Sequence, residues 1–372
     1  MKGSIGLGRI LGIPIRLHAS WFLIALLITW SLAVGYFPQA NPGWSVATYW
    51  IVGASASVLF FASVLLHELG HSVLALREQV PVKSITLFIF GGVAEIGREP
   101  PTAGAEFRIA IAGPLTSLGL AGIFGGLGVL LADYAVIAAP LAYLGRINLL
   151  LAAFNMIPGF PLDGGRVLRA TLWHFRGSLV DATRWASRTG QAFAYGFIGL
   201  GVLQFLTIGL ANGLWLVFIG WYLNNAARAS YQQVVWQDML RGVKARNLTM
   251  EKCAPVSSGM RLDLLVEGQV LAGGERCFFV TDNNDGTQGV ITLDDVKAVA
   301  RAERPAVTAS QIMTPVNGMA LADADDDGWS LVRRMWEEGK SALPVVDDGR
   351  FLGLITRESL LNHFRLRSEL AA

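Results

Sequence analysis

Six apolar runs of membrane-span length, or close to it, constrain this chain more than any other feature. A helix needs ~20 mainly apolar residues to cross the hydrocarbon of a bilayer. Residues 19–37, 49–76, 109–132 and 135–157 meet that need, and 192–210 and the short 212–223 follow, joined by almost no loop. Within lipid a backbone must satisfy its own hydrogen bonds, which leaves helices as the natural form for such runs. The expectation is an α-helical polytopic membrane domain of about six transmembrane helices over residues 1–224. The first run is too long for a cleaved signal peptide, and no small-residue cleavage site follows it.

Charge divides the chain further. It has 372 residues, is 53% hydrophobic and only 16% charged, against roughly 25% charged for an average soluble domain. Residues 1–242 hold 15 Lys and Arg against 9 Asp and Glu, whereas 243–372 hold 15 against 19. The first part reads as membrane, and the second has soluble composition after a linker helix at 225–246. No basic run or Arg/aromatic patch occurs, so nucleic acid is not an expected partner. Two cysteines, Cys253 and Cys277, cannot build a disulfide framework and fit a reducing compartment.

Lys and Arg favour the cytoplasmic side of a bilayer. Alternate loops carry Lys2, Arg9, Arg16, Arg77, Lys83, Arg98, Arg108, Arg166, Arg169, Arg176, Arg184, Arg188 and Arg228, while the opposite loops at 38–48, 133–134 and around 211 carry none. The N-terminus and the soluble tail are therefore expected in the cytoplasm, with the chain multi-pass in the cell membrane. Between the second and third runs, VKSITLFIFGGVAEI at 82–96 is rich in β-branched and aromatic residues around Gly91-Gly92 and is too short to cross. It reads as a membrane-associated β-hairpin with an edge open to strand addition.

The chemistry sits inside the second run, in His67-Glu68-Leu69-Gly70-His71. Residues i and i+4 share a helix face, so two imidazoles can reach one metal ion while Glu68 reaches its water as a base. Composition alone predicts only roughly 0.002 such strings in a chain with these His and Glu counts, so a chance match of the motif is not the natural reading. Ionisable groups at that depth are costly without partners. A catalytic zinc takes three protein ligands and leaves a fourth position for water. The third candidate is Asp163, delivered from a loop after the fourth run in NMIPGFPLDGG at 155–165, where Pro158 and Pro161 end the helix and Gly164-Gly165 permit a tight course. A lone Asp-Gly is more often a turn, but this one stands directly at a span end in a region poor in acids. Gly113, Ser117 and Ala121 recur every four residues, as helix packing in a membrane requires. Arg146, midway along the fourth run, is expected to face the bundle interior with a carboxylate or carbonyl partner.

HELGH at 67–71, NMIPGFPLDGG at 155–165, AGPLTSLGLAG at 112–122 and the hairpin after the motif helix together resemble the site-2 protease family of intramembrane zinc metalloproteases. Ser117 departs from the Asn common at its place. The resemblance implies one zinc per chain held by His67, His71 and Asp163. It also implies Glu68 as catalytic base and Asn155 as a residue that holds the substrate or the transition state. The reaction implied is hydrolysis of a peptide bond within or near a transmembrane helix of a membrane-protein substrate. Intramembrane His and Glu alone would also suit a channel or transporter regulated by its tail, and that is the alternative.

The tail repeats with a period of about 64 residues. Leu248 aligns with Ile312, Gly289 with Gly353 and Thr292 with Thr356, and FFVTDNNDGTQGVITLDD at 278–295 matches LPVVDDGRFLGLITRES at 343–359. Each unit is a helical segment, two strands around an Asp/Gly turn, and a helix start. A unit of this kind cannot cover its own sheet, so two should pack together. The repeat resembles tandem CBS domains, α+β modules, over 247–304 and 305–372. That resemblance implies adenine-nucleotide binding through Thr292 and Asp295 in the first repeat. In the second, Thr356 is present but Ser359 replaces the Asp, so at most one site is complete. The open alternative is a ligand-free structural pair or one that joins two chains in a homodimer.

Overall fold

The first residues to pack are strands. In the computed structural model, which describes residues 4–360 apart from 90, 208, 250–252, 282–286, 316–320, 339–341, 348–349 and 357–358, β1 (Ser4–Ile10) and β2 (Ile13–His18) form an antiparallel pair. Ile13, Ile15 and Leu17 are buried while Arg16 is exposed, the period-two pattern of a half-covered strand. β2 pairs in parallel with β3 (Val82–Phe88), and β3 pairs back with β4 (Gly91–Ile96). The hairpin expected at 82–96 is thus half of a sheet ordered β1-β2-β3-β4, with β4 at its edge. In the sequence these N-terminal strands stand out only by their positive charge. Their alternation is short, and it becomes a strand signal only when Ile13 and Ile15 meet Leu69 and Ile85.

Four helices among the described residues are long and apolar enough to cross a membrane: α1 (Ala19–Ala40), α2 (Val46–Arg77), α3 (Ala103–Leu130) and α4 (Ala135–Asn155). Ser45 and Thr102 cap α2 and α3 by accepting from the backbone N–H groups of Thr48 and Ala105. Leu26, Leu66, Leu115, Leu127 and Leu150 remain exposed, as a lipid-facing surface requires. The chain continues through α5 (Asp163–Arg176), α6 (Leu179–Thr207) and α7 (Leu210–Leu240). The fifth and sixth apolar runs lie in α6 and α7, whose remaining lengths are polar. α6 opens with Asp181, Arg184 and Arg188, and α7 ends beyond Asn224, Arg228 and Gln232.

Arg146 does not face the interior. The buried face of α4 is taken by Leu144, Gly145, Asn148 and Ala152, and Arg146 lies outside it, exposed beside a groove that Gly122, Gly125 and Ala142 line. One residue's step around a helix is ~100°, enough to separate Arg146 from that face.

The contacts divide the chain into two units, Met1–Gln232 and Gln233–Ala372. In the second, α8 (Ala245–Leu248) precedes a sheet of β5 (Ala254–Ser257), β6 (Cys277–Thr281), β7 (Thr287–Thr292) and β8 (Thr314–Pro315). α9 (Leu262–Leu265), α10 (Leu293–Ala298) and α11 (Ala309–Ile312) accompany that sheet. β9 (Ala322–Asp323), α12 (Gly328–Glu338), β10 (Ala342–Asp347) and β11 (Arg350–Thr356) complete the unit. The antiparallel pairs β6–β7 and β10–β11 occupy equivalent places in the repeat. The lead segment of each repeat crosses to the other's core. Ala245 and Leu248 of α8 are buried with Leu331, Met335 and Leu343, while Ala309 of α11 is buried with Val256, Leu265 and Phe278. Phe279 and Phe351 meet with ring centroids 4.9 Å apart, in a cluster with Val290 and Leu354. The two sheets therefore cover one another. Cys253 and Cys277 are joined as a disulfide, because parallel pairing of β5 with β6 brings their Cα atoms to 4.6 Å. This differs from the expectation of two unpaired cysteines, which spacing alone could not correct.

Candidate metal centre

α2 presents His67 and His71 on its buried face, each 4% exposed, with their Nε2 atoms 3.2 Å apart. Asp163 brings its Oδ2 to 3.1 Å from Nε2 of His67 and 3.2 Å from Nε2 of His71. Donors bonded at ~2.0 Å to a tetrahedral ion stand ~3.3 Å from one another. The triangle of these three atoms is the size that a zinc ion needs.

The delivery of Asp163 differs in one respect from expectation. It is not a loop residue but the first residue of α5, with Leu162 as its N-cap. The loop from Asn155 folds so closely on this helix start that a Cβ on Gly165 would lie 2.3 Å from the Gly159 carbonyl carbon.

α3 supplies the outer partners. His71 Nδ1 lies 2.7 Å from the Ile109 carbonyl oxygen. A carbonyl only accepts, so Nδ1 carries the proton and, in the neutral ring, Nε2 turns a lone pair to the centre of the triangle. His67 Nδ1 lies 2.9 Å from Ser117 Oγ. A Cβ on Gly113 would stand 2.1 Å from His71 Nε2 and 2.6 Å from His67 Nε2, so only glycine leaves room there. The small-residue spacing read as packing alone thus includes two residues of the centre.

Glu68 points from α2 to the sheet edge, where Oε2 accepts from the Ala94 N–H of β4 at 3.1 Å. Asn155 is the last residue of α4, half-buried, eight residues before Asp163. No hydrogen bond of its side chain to the cluster occurs among the described residues. One turn pair earlier, Asn148 is buried and donates through Nδ2 to Ser63 Oγ at 3.3 Å and to the Leu144 carbonyl at 2.8 Å.

Sequence reasoning missed a buried ion pair. Glu106 of α3 is fully buried and Arg169 of α5 is 5% exposed. Arg169 donates through Nε to Glu106 Oε1 at 2.6 Å and through Nη2 to Glu99 Oε2 at 3.1 Å. Arg169 reads in sequence as one more basic loop residue, and nothing in its spacing reveals the partner.

In the tail, Thr292 and Asp295 form a capping box at the head of α10, Thr292 Oγ1 donating to Asp295 Oδ2 at 2.7 Å. Thr356 is tied the same way to Ser359, whose backbone N–H donates to Thr356 Oγ1 at 3.0 Å.

This arrangement can be set beside other proteins. The profile of peptidase family M50 matches residues 55–138 and 128–197, and that of the CBS domain matches residues 309–366. Rip3 of Mycobacterium tuberculosis is 36% identical over 360 residues, 96% of this chain and 91% of its own. The zinc metalloprotease MJ0392 of Methanocaldococcus jannaschii is 33% identical over 369 residues, 97% of this chain and 96% of its own. The chain belongs to peptidase family M50, the site-2 proteases. A solved site-2 protease from M. jannaschii is 30% identical, covering 61% of this chain and 95% of that one, with a TM-score of 0.42. As a site-2 protease the chain is a membrane-embedded zinc metalloprotease with a CBS domain in its tail, and the channel or transporter alternative is not favoured.

Proposed function

We propose that the chain is an intramembrane protease that hydrolyses a peptide bond within or near a transmembrane helix of a membrane-protein substrate. His67, His71 and Asp163 would hold one zinc ion, and the observation that carries this reading is their triangle of donor atoms at 3.1–3.2 Å, set at the end of an apolar helix. When bound, zinc supplies Lewis acidity that makes water nucleophilic at neutral pH. Glu68 takes the proton of the attacking water on its carboxylate and returns it to the leaving amine nitrogen. The Ala94 N–H holds Glu68 in place for both transfers. Asn155 donates from its side-chain amide to the substrate carbonyl oxygen.

The edge of β4 lies beside Glu68, which supports strand addition as the way an unwound substrate segment is held. The one-sided distribution of Lys and Arg supports six spans, with the N-terminus and tail in the cytoplasm. Protease protection of the tail in right-side-out vesicles tests that orientation. Thr292, Asp295 and Thr356 are the residues through which the tail would take an adenine nucleotide, and the tail is the part through which two chains would dimerise.

The decisive measurement pairs metal content with cleavage of a single-span protein in detergent. Wild type carries one zinc per chain and cuts. Glu68→Gln carries the same zinc and loses on the order of 10²–10⁴-fold in rate. A Glu68→Gln protein that cuts at the wild-type rate removes Glu68 from the chemistry.

A further inference from the structure

One face of α3 governs all three of the proposed ligands. Glu106, Ile109, Gly113 and Ser117 recur at helical spacing along it. Ile109 orients His71, Gly113 makes room for both imidazoles, and Ser117 meets His67. The remaining residue, Glu106, touches neither histidine. It binds Arg169, six residues or ~9 Å along α5 from Asp163. The same guanidinium reaches Glu99, in the segment between β4 and α3, and lies 5.2 Å from the centroid of the Phe160 ring, in the loop that leads to Asp163.

We propose that Glu106 and Arg169 are positioning residues of the metal centre: their ion pair fixes α5 against α3 at the register that brings Asp163 to the histidines. Stability alone is a poor reason for the pair. A buried ion pair does little better than an apolar pair of the same shape, because both charges lose their water. Here one carboxylate oxygen, Glu106 Oε2, is buried without a hydrogen-bond partner, which adds to the cost. What the pair offers is direction. A guanidinium fork bridging Glu106 and Glu99 admits one rotation and one height of α5, whereas apolar contacts would tolerate sliding. A slide of α5 by one residue would move Asp163 ~1.5 Å along the helix, enough to open the triangle.

The inference rests on the metal reading above, and its test separates the two. Cobalt(II) is titrated into metal-free wild type, the double variant Glu106→Gln/Arg169→Met and the single variant Arg169→Lys, all in detergent. Visible absorption follows the ligand geometry, and circular dichroism follows the helices. The wild type is expected to bind one cobalt with the spectrum of a tetrahedral site. The double variant, neutral at both positions, keeps its helices but binds cobalt at least ~10-fold more weakly with shifted bands. Arg169→Lys keeps the charge, loses the fork and changes in the same direction by less. A folded double variant with wild-type affinity and spectrum overturns the positioning role. Should the double variant lose its helices, an unchanged Arg169→Lys overturns it instead. A wild type that binds no cobalt overturns the metal reading, and the positioning role with it.

Discussion

The Ile109 carbonyl decides what His71 can do. By accepting from Nδ1 it leaves Nε2 free to act as a ligand, so a backbone atom on another helix fixes the chemistry of a motif residue. Gly113 is the sharper case, because it acts by having no side chain. Gly113→Ala would place a methyl group 2.1 Å from His71 Nε2, and the resulting variant is expected to fold yet carry no zinc, as metal analysis after detergent purification would show. Retained zinc would mean that α3 can retreat from α2. The motif identified His67, Glu68 and His71 in sequence because their partnership is local. Gly113, Glu106 and Arg169 were not legible, since glycine spacing in a membrane helix looks like packing and an Arg near a span end looks like a loop charge.

At the level of elements, an edge strand and a helix share the carboxylate of Glu68, the proposed base. β4 turns the Ala94 N–H away from β3 and toward Glu68, so this strand serves the site as well as the sheet. Ala94→Pro removes that donor without touching any proposed ligand. The expected result is full zinc content with turnover reduced at least ~10-fold, read as kcat and KM on a membrane-anchored substrate. Unchanged turnover would remove β4 from the mechanism. The hairpin was foreseeable from its β-branched run around Gly91-Gly92. Its placement was not, because β2 joins β3 across more than sixty residues of chain and only a parallel register of Ile15 with Ile85 makes the sheet.

At the level of the whole molecule, a membrane unit and a unit bearing a CBS domain share a single chain. The tail's two repeats lend each other their lead segments, so neither has a complete core by itself. The two caps are unequal. Asp295 closes the first with a carboxylate, and Ser359 closes the second with a hydroxyl. If adenine nucleotide binds through the first cap, equilibrium dialysis of the full-length protein with ATP, ADP or AMP should saturate at one per chain. Two equivalents would show that the carboxylate is not required, and none would leave the tail structural.

The sequence by itself determined the class of the chain: apolar runs of span length, a histidine pair one helical turn apart, and a repeated tail. Each is a local pattern, carried by residues that are neighbours along a helix or strand. Only tertiary structure decided that Asp163 heads a helix, that Gly113 and Ile109 enclose the histidines, that Arg146 faces outward and that the cysteines meet. Those outcomes depend on which faces of distant segments come together, and the free energy of burying those faces is a property of the packed chain rather than of any stretch of it.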